Sequence, residues 1–175
     1  MNVAKFFGAS GIMKLYMQIR VMQYRDGVNY PLSTFWTDRE LSIIKPENVY
    51  FFTPGLRRFK KSIVEGSFTV WIDLDTPEIP TWYVKPSLLI CTGHGHHAYW
   101  LLNDFCMPEE LGPILKRLIH FYKADPATSD ITRFMRYPES YNQKFSPAHF
   151  CEIIDQDINR RYDANHLIPI DYKAT

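Results

Sequence analysis

The stretch Phe68-Thr69-Val70-Trp71-Ile72-Asp73-Leu74-Asp75 constrains this chain more than any other. Its alternation predicts a strand from Ser67 to Asp75, with Val70, Ile72 and Leu74 on one face and Trp71, Asp73 and Asp75 on the other. Two acids spaced in this way have Cα atoms about 6.5 Å apart. Carboxylates that close repel unless a cation stands between them. Their oxygens suit hard divalent ions, which makes Asp73 and Asp75 a candidate site for Mg2+ or Mn2+. The plain alternative is a strand end where two acids meet water.

The flanking pattern sets the fold class. Val49 to Phe52 is β-prone and ends at the Pro54-Gly55 turn; a basic stretch, Arg57, Arg58, Lys60 and Lys61, follows. Ser87–Cys91 and His97–Leu102 read as two more strands. Leu111, Ile114, Leu115, Leu118, Ile119 and Tyr122 share one helical face, with the regular helix expected only from near Gly112 because of Pro113, and with Lys123 near its end. Asp125 to Ser146 reads as irregular, Phe150 to Ile154 as a last strand, and the remainder as a polar tail. Near the start, Ile12, Leu15, Tyr16, Ile19 and Met22 recur at helical spacing, although Leu15, Met17, Ile19 and Val21 also alternate; a helix is expected. A second short helix is expected from Thr37 to Ile44. Strands with one long helix predict an α+β sandwich.

Composition narrows the classes. At 175 residues one domain is expected, and 46% hydrophobic with 22% charged residues excludes a disordered chain. No apolar run approaches the roughly 18 residues of a membrane span, and Met1 to Gly11 lacks a secretory pattern. Cys91, Cys106 and Cys151 form no Cys-x-x-Cys pair, so a reducing, intracellular compartment is expected. A net charge of +1 excludes a partner held by bulk charge alone, but not phosphate bound by locally placed bases.

Two further constellations carry chemistry. In Pro86-Ser87-Leu88-Leu89-Ile90-Cys91-Thr92-Gly93-His94-Gly95-His96-His97-Ala98-Tyr99-Trp100 a strand enters a glycine turn and returns with His97, Tyr99 and Leu101 on one side. Glycines let backbone N–H groups approach a phosphate, and His97 can point at the same anion. A tight hairpin, or zinc held by His94, His96 and His97, are the other readings. Downstream lie Asp125, Asp130, Arg133, Arg136, Asn142 and Lys144. Arginine forks and a lysine converging on one place suit a polyphosphate.

The order of these motifs, Asp73-x-Asp75, then Gly93-x-Gly95-x-His97-x-Tyr99-Trp100, then Asp125 and the Arg133-to-Lys144 segment, resembles the archaeo-eukaryotic primase superfamily. More narrowly, it is similar to the small primase-polymerases of phages and plasmids. The match spans about residues 49 to 162. The resemblance implies a primase catalytic core, an RRM-like sheet joined to a further αβ unit. It implies Asp73, Asp75 and Asp125 as metal ligands, with Asp130 a rival for the third place. Thr92 and His97 match the nucleotide-binding motif, and Arg133, Arg136, Asn142 and Lys144 the segment near the incoming triphosphate. The implied activity is template-directed nucleotidyl transfer, priming or extending DNA, with Mg2+ or Mn2+, nucleoside triphosphates and a single-stranded DNA template. Arg57, Arg58, Lys60 and Lys61 are candidate template contacts, and exposed aromatics candidate stacking surfaces. Relatives often carry Pro-Gly where this chain has Pro138-Glu139. Neither a zinc-binding module nor a P-loop helicase is read in the sequence, so those functions are expected to come from other proteins, a separate helicase among them, or to be dispensable. Two other functions compete: a catalytically silent primase fold that binds DNA, and a phosphohydrolase with Asp73 as nucleophile.

Overall fold

The computed structural model describes residues 3–8, 14–39, 41 and 44–172. The chain opens with a one-turn helix, α1 (Val3–Phe6), and then an antiparallel hairpin of β1 (Leu15–Arg25) and β2 (Val28–Thr37). There follow β3 (Asn48–Phe52), β4 (Leu56–Arg58), β5 (Val64–Leu74), β6 (Leu88–Cys91), β7 (His96–Cys106) and the long helix α2 (Pro108–Tyr122). A 3-10 turn, Pro126–Ser129, leads to β8 (Met135–Arg136), β9 (Tyr141–Asn142), β10 (His149–Phe150), β11 (Glu152–Gln156) and β12 (Arg161–Tyr162). The class is α+β: among the described residues one large sheet runs in the order β11-β6-β7-β5-β4-β1-β3-β8, with β2 beside β1 and β12 beside β7.

Two halves of this sheet meet at β4, which pairs with β5 on one side and β1 on the other. In the first half, β5 and β7 are antiparallel and set Asp73 opposite His97 and Trp71 opposite Tyr99. The Val70, Ile72 and Leu74 face turns toward α2, whose Leu111, Leu115, Leu118, Ile119 and Tyr122 are buried, and Tyr122 stacks on Trp100 at 5.7 Å. The opposite face meets α1 and the second half: the ring of Phe7 lies 5.0 Å from Tyr99 and that of Phe52 6.0 Å from Tyr99. The first half therefore carries core on both faces, whereas the second half buries one face and leaves Arg20 and Thr34 exposed on the other.

The expected helix over residues 12–22 is β1 instead. Ile12 lies outside the described residues, but Leu15, Met17, Ile19 and Val21 are buried while Tyr16, Gln18 and Arg20 are less so. Strand periodicity won because Asp26 and Gly27, at φ 50° and 81°, form the two-residue turn with positive φ at both positions that joins β1 to β2. The helix expected at Thr37–Ile44 also fails where it is described. Thr37 ends β2, and its hydroxyl accepts from the Arg39 N–H and donates to the Arg39 carbonyl, a local turn in place of a helix cap. Residues 40, 42 and 43 lie outside the described residues.

Helix α2 starts earlier than expected. Pro108 occupies its first turn, the Glu110 and Leu111 amides bond Met107 O, and Pro113 falls where only the Glu109 carbonyl loses a donor. The expected strand at Phe150–Ile154 is split at Cys151, whose N–H bonds Ser140 O while its carbonyl accepts from Glu139 N, so β10 pairs β9 and β11 pairs β6. Leu167 and Ile168 are buried, so the tail is not wholly polar.

Candidate active site

Asp73 and Asp75 sit at the end of β5, where Asp73 is half-buried and Asp75 exposed. His97, the first large side chain along β7 on that face, brings its Nε2 to 3.5 Å from Asp73 Oδ2. Its other nitrogen, Nδ1, lies 3.2 Å from the hydroxyl of the fully buried Tyr99. Burial works against ionising Asp73, but His97, Arg133 and Arg136 outweigh it and hold the carboxyl below its ordinary value. An ionised Asp73 can only accept, so Nε2 carries a proton. Tyr99 keeps its own, because burial first, and then Asp73 and Cys151, push its pKa well up. His97 therefore donates to Asp73 through Nε2, while its Nδ1 is held at the Tyr99 hydroxyl, the direction of that second bond following the protonation of the ring. The sequence motifs do not single out Tyr99 as a site residue; its place two residues after His97 on the same strand face is the signal that points to it.

Asp125 reaches the same rim through its backbone, since its N–H donates to Asp73 O at 2.8 Å. Its carboxylate caps the 3-10 turn by accepting from Ala127 N at 2.9 Å and meets Arg133 Nη2 at 3.6 Å. Asp130, the rival acid, turns away: its Oδ1 accepts from both the N–H and the hydroxyl of Thr132 at 2.8 Å. The three carboxylates Asp73, Asp75 and Asp125 have the right chemistry for a hard divalent ion and share one rim. Among the described residues, however, no three His, Cys, Asp or Glu side chains converge closely enough to hold one. Holding a metal with all three requires Asp125 to release Arg133 and its own turn.

Arg136, on β8, is buried and lies 5.1 Å over the Phe51 ring. Burial lowers its pKa, which Cys151 and Asp73 partly offset. Its Nη1 is buried without a hydrogen-bond partner, a cationic donor left open beside Asp73. Cys151 stands by it with its thiol pushed up to about 11, mainly by burial and against the pull of Arg136, so it is a neutral neighbour near pH 7.

The glycine turn is shaped by contact with β5. A Cβ on Gly95 would lie 1.8 Å from Leu74 O, and Gly93 has φ 96° with His149 against it. Thr92, a sequence candidate for the nucleotide, turns its hydroxyl to Gly95 O at 3.1 Å and its carbonyl to Asn142 Nδ2 at 2.7 Å. Thr92 and Asn142 thus clamp the turn to β9, while Lys144 beyond them is exposed. His96 points to Thr76 O on the face opposite His97, and His94 is exposed, so the three histidines do not come together. Glu139 adopts φ 58°, a conformation glycine enters without steric cost.

The basic stretch divides. Arg57 is buried, its Nη1 bonding Thr53 Oγ1 at 2.6 Å and Gly55 O at 3.0 Å and its Nε bonding Ser62 O at 3.1 Å. It braces a loop and is not available as an exposed template contact. Arg58 pairs with Glu65 at 3.2 Å but stays largely exposed, and Lys60 and Lys61 are exposed.

No protein-family model and no curated protein matches the sequence. Solved structures do match. The AEP domain of the cyanophage S-2L primase-polymerase superposes with a TM-score of 0.67 at 16% identity, over 87% of this chain and 86% of that one. Primase RepB' gives 0.61 at 17% identity over 93% of this chain, which spans 56% of that longer protein. The RepB' catalytic domain in complex with initiator DNA gives 0.59 at 16%, over 93% of this chain and 84% of that one. Among the described residues no helix is long and apolar enough to cross a membrane. The chain thus has the fold of these primase and primase-polymerase catalytic domains, in agreement with the fold expected from the order of its motifs.

Proposed function

We propose that the chain is a template-directed nucleotidyltransferase that primes or extends DNA. The observation that carries this reading is the rim itself: Asp73 held by His97, Asp125 bonded to the Asp73 backbone, and a buried Arg136 with an open Nη1. A buried cationic donor without a partner near the Asp73 carboxylate suits a triphosphate bound together with cations. Asp73, Asp75 and Asp125 would hold Mg2+ or Mn2+, which when bound supplies activation of a 3′-hydroxyl and neutralisation of the phosphates.

The chain's own residues supply the rest. Tyr99 fixes His97 with its N–H at the rim, so His97 donates and does not accept there. Arg136 binds a phosphate oxygen with a group that loses no existing hydrogen bond. Arg133, paired with Asp125 at 3.6 Å, would be free to meet the developing charge on the leaving phosphates if that carboxylate were engaged elsewhere. Thr92 and Asn142 keep the glycine turn in place, and Lys144 approaches from solvent. Ribonucleotides or deoxyribonucleotides, a single-stranded DNA template and a separate helicase complete the proposal.

The test supplies a single-stranded template, nucleotides and Mg2+ or Mn2+, and compares the protein with Asp73→Ala and His97→Ala. Product from the parent and a loss of at least about 100-fold in the variants is expected; equal product from all three sinks the assignment. One observation favours a second reading, a silent primase fold that binds DNA: the acids do not converge, and Asp125 is paired with Arg133. That reading predicts DNA binding unchanged by Asp73→Ala and no incorporation with either metal.

A further inference from the structure

Away from the rim, a cross-strand row runs Thr34, Arg20, Phe51, Arg136 from β2 through β1 and β3 to β8. Residues paired in this way project to one face of a sheet. Arg20 lies 4.0 Å over the ring of Phe134 and Arg136 5.1 Å over Phe51, so cation and aromatic ring alternate along the row toward Asp73. On the neighbouring row Trp36 stands opposite Gln18. Its ring is 6.4 Å from Phe59, which is 5.3 Å from Tyr16. Phe59 is 53% exposed and flanked by exposed Arg58, Lys60 and Lys61. A groove of about 810 Å3 joins the two rows, lined by Gln18, Arg20, Phe51, Phe134 and Arg133 among others. Among the described residues Asp130 is the one acid in its lining, and it is engaged by Thr132.

We infer that this open sheet face, from Phe59 and Trp36 through Arg20 and Phe134 to Phe51, is a track for single-stranded DNA. Phe59, the exposed ring of this face, offers a stacking surface for an unpaired base whatever its identity, and the exposed cations Arg20, Lys60 and Lys61 beside the half-buried rings follow the backbone. A duplex keeps its bases stacked on each other and offers none of them to Phe59. The inference rests on the nucleotidyl-transfer reading only in taking the strand to be the template that leads into the rim. It names Phe59, Trp36 and Arg20 as the residues that hold it.

The probe is a short oligothymidylate, followed by fluorescence anisotropy and by tryptophan emission. Phe59→Ala and Arg20→Ala each weaken binding by about 5-fold or more, the range expected for loss of one stacked base or its cation. Arg20→Ala also lowers the dependence of log K on log salt by about one unit. Trp36→Phe removes most of the emission change on binding. Phe59 and Arg20 are exposed, and unchanged circular dichroism excludes misfolding as the cause. Parent protein that fails to bind the oligonucleotide, variants that bind as tightly as the parent, or a duplex that competes as well as the single strand would each overturn the track. If binding depends on Phe59 and Arg20 while no template yields product, the catalytic reading fails and the track stands. Normal incorporation with variant binding unchanged overturns the track and leaves the catalytic reading standing.

Discussion

At the scale of single residues, the rim is a set of groups that fix one another's protonation. Asp73 is held below its ordinary value of 3.8 although burial opposes it. A folded-state pKa lower than the unfolded one adds stability above the unfolded value, and that stability is lost as pH falls through the depressed one. Asp73→Asn removes this dependence. Its unfolding free energy, measured by urea titration at successive pH values, should therefore change less than the parent's as pH falls from 3.8 toward more acid conditions. An identical slope in both proteins would mean that His97 and the two arginines do not act on Asp73 in solution.

Residue types are legible in the sequence where chemistry has few options. Asp73, Asp75, His97, Asp125 and Arg136 all stand out there, and the structure brings Asp73, His97, Asp125 and Arg136 to one rim with Asp75 at the adjoining strand end. What a residue does with its hydrogen bonds is not legible. Arg57 reads as a surface base, yet three protein acceptors take its guanidinium; Thr92 reads as a phosphate ligand, yet its hydroxyl closes its own turn. Such partners come from loop geometry, which sequence spacing does not encode.

Among the elements, β5 and the β6–β7 pair are readable because alternation and a glycine turn coincide there. The β1–β2 hairpin is not, since Leu15, Tyr16, Ile19 and Met22 satisfy the helical period while Leu15, Met17, Ile19 and Val21 satisfy that of a strand. Asp26-Gly27 holds the deciding signal. The turn between β6 and β7 also sets the closest backbone approach near the rim, Gly95 against Leu74 O. Gly95→Ala is expected to destabilise by about 1–3 kcal/mol or more, since a backbone must move. It should also depress incorporation by displacing His97 from Asp73. Denaturation midpoints and incorporation rates check both; a variant as stable as the parent would mean the turn yields freely.

For the whole molecule, the unit of organisation is a pair of sheet halves with the rim between them. The first half carries Asp73 and His97, and the second carries Arg136 and the proposed track. Their common member is β4, a strand of three residues that belongs to both ladders. Arg57 lies in its middle, and its bonds tie the strand to Thr53, Gly55 and Ser62. Arg57→Ala removes the guanidinium from Gly55 O and Ser62 O and leaves Thr53 Oγ1 only the Gln18 N–H, and should cost about 2–4 kcal/mol, read from a urea midpoint. It should also lower incorporation even at temperatures where the variant remains folded.

That shared strand implies a lever. A DNA strand seated on the proposed track would bear on β1, and β1 is joined through β4 to the strand that carries Asp73. Tension in the template would then register at the acids without any contact between the two. Stiffness in three residues would set how faithfully the arrival of a template is felt where the bond is made.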